Sequence, residues 1–168
     1  MNSSLLLGIG FLAQVLFSAR FLIQLVKSEK AGKVLSPVIF WQLSLVASFL
    51  LLVYGTFRKD LVIVGGQLLG YFIYIRNLKI QNAWQLFPKW IRIGFIFLPL
   101  LFLAYLIFHA NYNFHSLVHN PEISGMLLTW GTLGQVIFTS RFVVQWFDSE
   151  RSKESRFPLS FWYISLVG

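Results

Sequence analysis

Cysteine is absent from the 168 residues, which excludes disulfides, thiol nucleophiles and thiolate metal sites. Charge is scarce as well: Asp, Glu, Lys and Arg make up 12% of the chain, and only six residues are acidic. No glycine-rich phosphate loop, serine-hydrolase elbow or zinc motif occurs, and no carboxylate pair sits within the apolar runs. The sequence therefore calls for no cofactor, and an enzyme is the weakest functional reading. His109, His115 and His119 lie in or beside one connection with Glu122 as its only acid, too few carboxylates for a metal centre.

Apolar residues dominate what is present. They form 57% of the chain, with 18 Phe, six Trp and six Tyr. A soluble domain of this size has too high a surface-to-volume ratio to hide that much apolar surface, so the expected class is an all-α integral membrane protein. The net charge of +8 does not point to nucleic acid, which needs a basic soluble face or a binding module. The basic residues sit in short connections, where anionic lipid headgroups are the natural counterpart.

Apolar runs cover residues 5–26, 37–57, 61–75, 91–108 and 122–147, and a sixth begins at Pro158. Most approach the roughly 20 residues that cross a bilayer as a helix. The run 61–75 is short and holds Gly65, Gly66 and Gly70, which suggests either little tilt or close packing against a neighbour. The first run lacks the basic start and small-residue cleavage site of a signal peptide, so it reads as a retained helix. The connections after runs one, three and five carry Lys27, Lys30, Lys33, Arg76, Lys79, Lys89, Arg92, Arg151, Lys153 and Arg156, against Arg58 and Lys59 on the other side. Such a bias places the N-terminus outside, in the periplasm, with those connections in the cytoplasm. Within them, "RNLKIQNAWQLFPKWIR" is basic and aromatic, suited to lie along the inner leaflet or to dock a soluble partner.

The chain also repeats itself. At an offset of 121, residues 10–47 align with 131–168 without a gap, and 16 of 38 positions are identical. Polar positions match along with apolar ones: Gln14, Arg20, Gln24, Ser28, Glu29, Pro37, Trp41 and Ser44 recur as Gln135, Arg141, Gln145, Ser149, Glu150, Pro158, Trp162 and Ser165. This is an internal duplication. Run one matches run five, four crossings later, so the copies run in the same direction as parallel repeats. The expected organisation is a first three-helix repeat (1–80), a cytoplasmic connection with a linker helix (81–110) and a second repeat (111–168), with seven helices in the complete protein. The second copy reaches Gly168, the equivalent of Ala47.

The segment "GFLAQVLFSARFLIQLVKSEKAGKVLSPVIFWQLSLVASFLLLVYG", followed by "GQLLGYFIYIRNL", resembles the lipid A biosynthesis N-terminal domain family, small proteins or domains of Gram-negative inner membranes that are sometimes fused ahead of lipid A disaccharide synthase. The architecture is distantly similar to PQ-loop and SWEET transporters, although Val38 and Leu159 stand where a PQ-loop has glutamine. The resemblance implies a multi-pass inner-membrane protein connected with lipid A synthesis. No glycosyltransferase domain is present.

Arg20 lies about 9 Å inside a cytoplasmic boundary placed near Val26, where an arginine must snorkel, pair or line a wet cavity. Gln24 shares its face at i+4, placed to brace the guanidinium or share an anion with it, whereas Gln14 is about 120° away. Two guanidinia, Arg20 and Arg141, with the amides of Gln14, Gln24, Gln135 and Gln145, suit the phosphate or pyrophosphate of an anionic or polyprenyl-phosphate-linked lipid. Glu29 and Glu150 stand near the mouth as gating or pairing residues. Gln67 must pair or face a cavity. Trp41 and Trp162 suit an aromatic belt or stacking on a sugar ring. Pro37 and Pro158 open helices, the first with Ser36 as cap. The bland alternative is that each arginine snorkels or pairs with its local glutamate as a structural anchor. Two functions remain in contention: a carrier or flippase-like protein for a phosphorylated lipid-linked sugar, and a non-enzymatic scaffold that presents lipid to a membrane glycosyltransferase.

Overall fold

The computed structural model describes residues 3–58, 61–109 and 125–167. Six α-helices and one 3-10 turn form these residues, with no strand among them. They are α1 (Ser3–Ala31), α2 (Val38–Phe57), α3 (Leu61–Ile80), the turn Trp84–Leu86, α4 (Lys89–His109), α5 (Gly125–Ser152) and α6 (Leu159–Val167). Among the described residues, two helical stretches, Ser4–Ala31 and Val38–Phe57, are long and apolar enough to cross a membrane. Helix α2 packs between α1 and α3, α4 lies against α2 and α3, and α5 packs on both α3 and α6. His115, His119 and Glu122 lie outside the described residues.

Helix ends follow from local chemistry. Helix α1 stops where Gly32 takes φ +62°, with Gly32 N–H bonded to Glu29 O and Lys33 N–H to Ser28 O, the paired bonds of a glycine-terminated helix. Helix α3 ends the same way at Asn82, φ +56°, through bonds to Lys79 O and Leu78 O. The run expected to end at Ile75 therefore continues to Ile80. It can do so because Arg76 finds a carboxylate partner and Asn77 is buried with amide partners. Helix α5 is closed by Lys153, φ +57°, the residue 121 positions after Gly32.

Three expectations about packing are corrected. Ser36 does not cap α2: Pro37 occupies the N-cap with no side-chain cap, and Ser36 Oγ instead accepts the Trp41 indole N–H at 2.8 Å. Trp41 is fully buried, so it is a core residue with no belt position; Phe157 stacks on its ring at 5.3 Å and 19°. The glycines of α3 do not seal a tight contact, since a Cβ at Gly65 or Gly66 would meet nothing within 4 Å, and one at Gly70 would press on the Tyr74 phenol of its own helix.

The core is aromatic and joins the two copies. Phe40, Trp41, Tyr74, Phe142, Phe157 and Phe161 are buried together, largely in edge-to-face pairs such as Phe40 with Phe157 and Tyr74 with Phe142, the arrangement the ring quadrupole favours. Trp84 also turns inward, 7% exposed, so the connection after α3 is partly folded onto the helices, while Leu86 and Trp90 stay exposed. Outside, large apolar side chains face outward along the helices, among them Phe11, Phe108, Trp130 and Leu166. An apolar exterior of this kind marks a surface that meets membrane or protein.

Candidate functional site: a cavity between two arginines

Arg20 and Arg141 are each 4% exposed, and both line one cavity of about 380 Å³ with Gln14, Ser18, Gln67, Tyr74 and Thr139. Helices α1, α2, α3 and α5 build its wall. Gly66 and Gly70 lie on that wall, so the side of α3 expected to pack tightly instead leaves room for a ligand.

The two arginines are held in equivalent ways. Arg20 Nη1 donates to Ser44 Oγ at 2.6 Å, and Arg141 Nη1 donates to Ser165 Oγ at 3.2 Å. Each serine passes its own hydrogen to the carbonyl four residues back, Phe40 or Phe161, at 2.6 Å. The guanidinia also stack among rings: Arg20 lies 4.9 Å from the Phe21 centroid and 5.7 Å from that of Phe142, while Arg141 lies 4.8 Å from Phe142 and 5.9 Å from Phe21. Each arginine thus faces the phenylalanine of its own copy and that of the other. Cation–π attraction holds a guanidinium without using its hydrogens. Arg20 Nε has no partner among the described residues.

The remaining polar groups of the cavity come from α1, α3 and α5. Tyr74 Oη lies 3.4 Å from Arg20 Nη1. Gln67 accepts a hydrogen bond from Ser48 at 2.9 Å through Oε1, which leaves its amide N–H groups as donors. Gln14 is exposed at the cavity edge. The Gln135 side chain lies outside those described.

Other residues expected at the site are elsewhere. Gln24 does not brace Arg20: its amide donates to Leu35 O at 3.3 Å and ties down the turn after α1. Gln145 does the same to Arg156 O at 3.1 Å and pairs with Asn77 on α3. Ser28 and Ser149 complete these equivalent turns by accepting from the N–H of Leu35 and Arg156. Trp41 is in the core, and Trp162 is half-buried with its indole N–H unpartnered among the described residues. Glu29 is exposed and makes no ion pair with Arg20.

Glu150 pairs with Arg76 of α3 in a two-point contact, Nη2 to Oε2 at 2.8 Å with Nε on the other oxygen. The Trp146 indole and Lys153 add to it. Hydrogen bonding from Arg76 pulls the Glu150 carboxyl down to about 2. Ser18, Thr139 and Tyr74 escaped the sequence reading. The first two were detectable, because they occupy equivalent positions of the repeat two residues before each arginine; Tyr74 carried no comparable signal.

The lipid A biosynthesis N-terminal domain family matches residues 9–79 and 130–168. The chain belongs to this family. The second matched segment starts 121 residues after the first, the offset of the internal repeat. A lipid-A-disaccharide synthase of Chlamydia pneumoniae is 33% identical over 98% of this chain and 28% of the relative. Those of Chlamydia abortus and Chlamydia muridarum are 27% and 29% identical over 98% and 95% of this chain, again 28% of each relative. The chain thus spans less than a third of the length of these curated relatives. No solved structure matches it. Family membership links the chain to lipid A biosynthesis.

Proposed function

We propose that this lipid A biosynthesis N-terminal domain protein is a non-enzymatic, multi-pass membrane carrier that grips the phosphorylated headgroup of a lipid-linked sugar or lipid A-related glycolipid between Arg20 and Arg141. The observation that carries the reading is one of charge balance: two buried guanidinia line a single cavity whose described lining includes no carboxylate. Two like charges beside one cavity repel each other, and an anion placed between them relieves that repulsion. A phosphate or pyrophosphate is such an anion and matches the planar fork of each guanidinium. The cavity is within the usual size range of small-molecule sites, and Gln67, Ser18 and Thr139 offer further polar groups for sugar hydroxyls.

In this reading α1 to α3 and the elements from α5 onward form two parallel units in the inner membrane, the N-terminus periplasmic, with the headgroup held where they meet. Support comes from the hydrogen bonds of Arg20, Gln24, Ser28 and Ser44, which recur at Arg141, Gln145, Ser149 and Ser165. A scaffold that presents lipid to a glycosyltransferase is the second reading, favoured by the chlamydial relatives, which are longer lipid-A-disaccharide synthases. Both place the same headgroup in the same cavity.

Native mass spectrometry tests the headgroup site, with the purified chain offered a polyprenyl phosphate or the unphosphorylated polyprenol. Selective retention of the phosphate by wild type, lost in Arg20→Gln plus Arg141→Gln at equal folding yield, is the expected result. Equal retention of both lipids, or retention unchanged in the double variant, sinks the proposal.

A further inference from the structure

A second cavity, about 330 Å³, opens between α3 and α4 and does not share a residue with the arginine cavity. Its wall is apolar, with Leu68, Phe72, Phe95 and Leu100 among its lining, and Arg76 and Lys79 stand toward the C-terminal end of α3. Tyr71 also lines it, 4% exposed, with a hydroxyl that has no hydrogen-bond partner among the described residues. An unpaired buried hydroxyl costs free energy, and the residue that carries it lines a cavity able to receive a partner. Pro99, the proline inside α4, lines the same space. Lacking an N–H, it deprives the Phe95 carbonyl of its usual helical donor.

From this arrangement we infer that the groove between α3 and α4 is a binding site for an anionic phospholipid, separate from the headgroup cavity. Charge complementarity selects this occupant. Lys79 is exposed and makes no ion pair among the described residues, and Arg76 keeps Nη1 outside its two-point contact with Glu150. The lipid phosphate sits at Lys79 and Arg76, and one acyl chain runs along Phe72, Phe95 and Leu100. Tyr71 lies about 7.5 Å deeper than Arg76 by helical rise, where its hydroxyl donates to an ester oxygen of the glycerol backbone. A soluble phosphate has no use for the apolar wall, and a purely apolar chain leaves Tyr71 and Lys79 unanswered. Because Arg76 also holds Glu150 on α5, the lipid touches a residue that joins the two copies.

The test uses the full chain in nanodiscs of phosphatidylglycerol or phosphatidylcholine, released into the mass spectrometer under stepwise activation. Wild type is expected to hold one phosphatidylglycerol in preference to phosphatidylcholine. Lys79→Gln plus Tyr71→Phe should lower that retention by about tenfold, the loss of one charge-assisted contact and one hydrogen bond. Arg20→Gln plus Arg141→Gln should leave it unchanged, so the outcome is independent of the headgroup reading. Leu100→Trp, which fills the groove, should exclude the lipid at an unchanged melting temperature. Equal retention of the two phospholipids, indifference to Lys79→Gln plus Tyr71→Phe, or displacement by inorganic phosphate would overturn the inference.

Discussion

The side-chain amides of Asn77 and Gln145 bond each other twice, Nδ2 to Oε1 at 3.1 Å and Nε2 to Oδ1 at 2.9 Å, with both residues fully buried. Ser155 Oγ reaches the same Asn77 oxygen at 2.6 Å and Ser36 Oγ at 2.8 Å. This network, with Arg76 and Glu150 beside it, ties α3 to the second copy of the repeat. Asn77→Ala removes one side of a reciprocal pair and leaves the buried Gln145 Oε1 without the donor it has in Asn77, a cost of about 1–3 kcal/mol. Thermal unfolding in detergent should show the loss, and a melting temperature equal to wild type would mean that the network contributes nothing net.

The Arg76 to Glu150 contact makes a prediction about pH. The Glu150 carboxyl is held at about 2, below its ordinary 4.5, first by the Arg76 hydrogen bond. A depressed folded-state value means the contact stabilises fully above about 4.5 and is lost as pH falls from there toward 2. Stability of wild type should therefore decline across that window more steeply than that of Glu150→Gln. Parallel curves would show that the pair is screened at the surface and uncoupled from folding.

Lys153 closes α5 with φ +57°, whereas Gly32 closes α1 with φ +62°. A side chain in this left-handed region is strained, and glycine is not. Lys153→Gly should stabilise the protein by about 0.5–1 kcal/mol, and Gly32→Ala should destabilise it by a similar amount. Chemical unfolding of both variants reads the two signs directly; the same sign for both would contradict the geometry.

Gly66 offers a way to block the arginine cavity without disturbing the arginines. It lines the cavity, yet an added Cβ would meet nothing within 4 Å. Gly66→Leu should fold at least as well as wild type, because leucine favours a helix more than glycine does by about 0.5–1 kcal/mol, and should abolish retention of a polyprenyl phosphate. Undiminished retention in a folded Gly66→Leu protein would move the headgroup out of this cavity.

Arg20→Lys keeps the charge but loses the flat fork and the stacking on Phe17 and Phe21, whose centroids lie 4.5 Å and 4.9 Å away. A lysine at a bidentate, stacked site is not a conservative exchange. Retention of the phosphorylated lipid should fall by about tenfold with the melting curve little changed. Full retention would reduce the role of Arg20 to a point charge.

Much of this architecture was legible because duplication writes it twice. The recurrence of Arg20 at Arg141 and of Ser44 at Ser165 pointed to paired guanidinia before any geometry was known, and Arg20, Arg141, Gln14 and Gln67 do line one cavity. Repetition could not separate binding from bracing. Gln24 and Gln145 recur for the same reason the arginines do, yet they hold turns, because a helix wheel places residues on a face without saying which neighbour arrives there. Trp41 looked interfacial from its distance along the helix, but Phe157 and Ser36 enclose it, a tertiary contact that no local pattern encodes. Asn77 was invisible for the same reason: its meaning lies in Gln145, 68 residues away.

Phe157 occupies the position that Ser36 holds in the first copy, and the two meet at a single indole: Ser36 Oγ takes its N–H at 2.8 Å and Phe157 covers its face at 5.3 Å. Two serines would leave the ring uncovered, and two phenylalanines would leave the N–H stranded. The halves have therefore specialised into unlike mates. Neither could be exchanged for a second edition of the other, and a symmetric pairing of two first halves would lack the joint that now holds the sequence-related halves together.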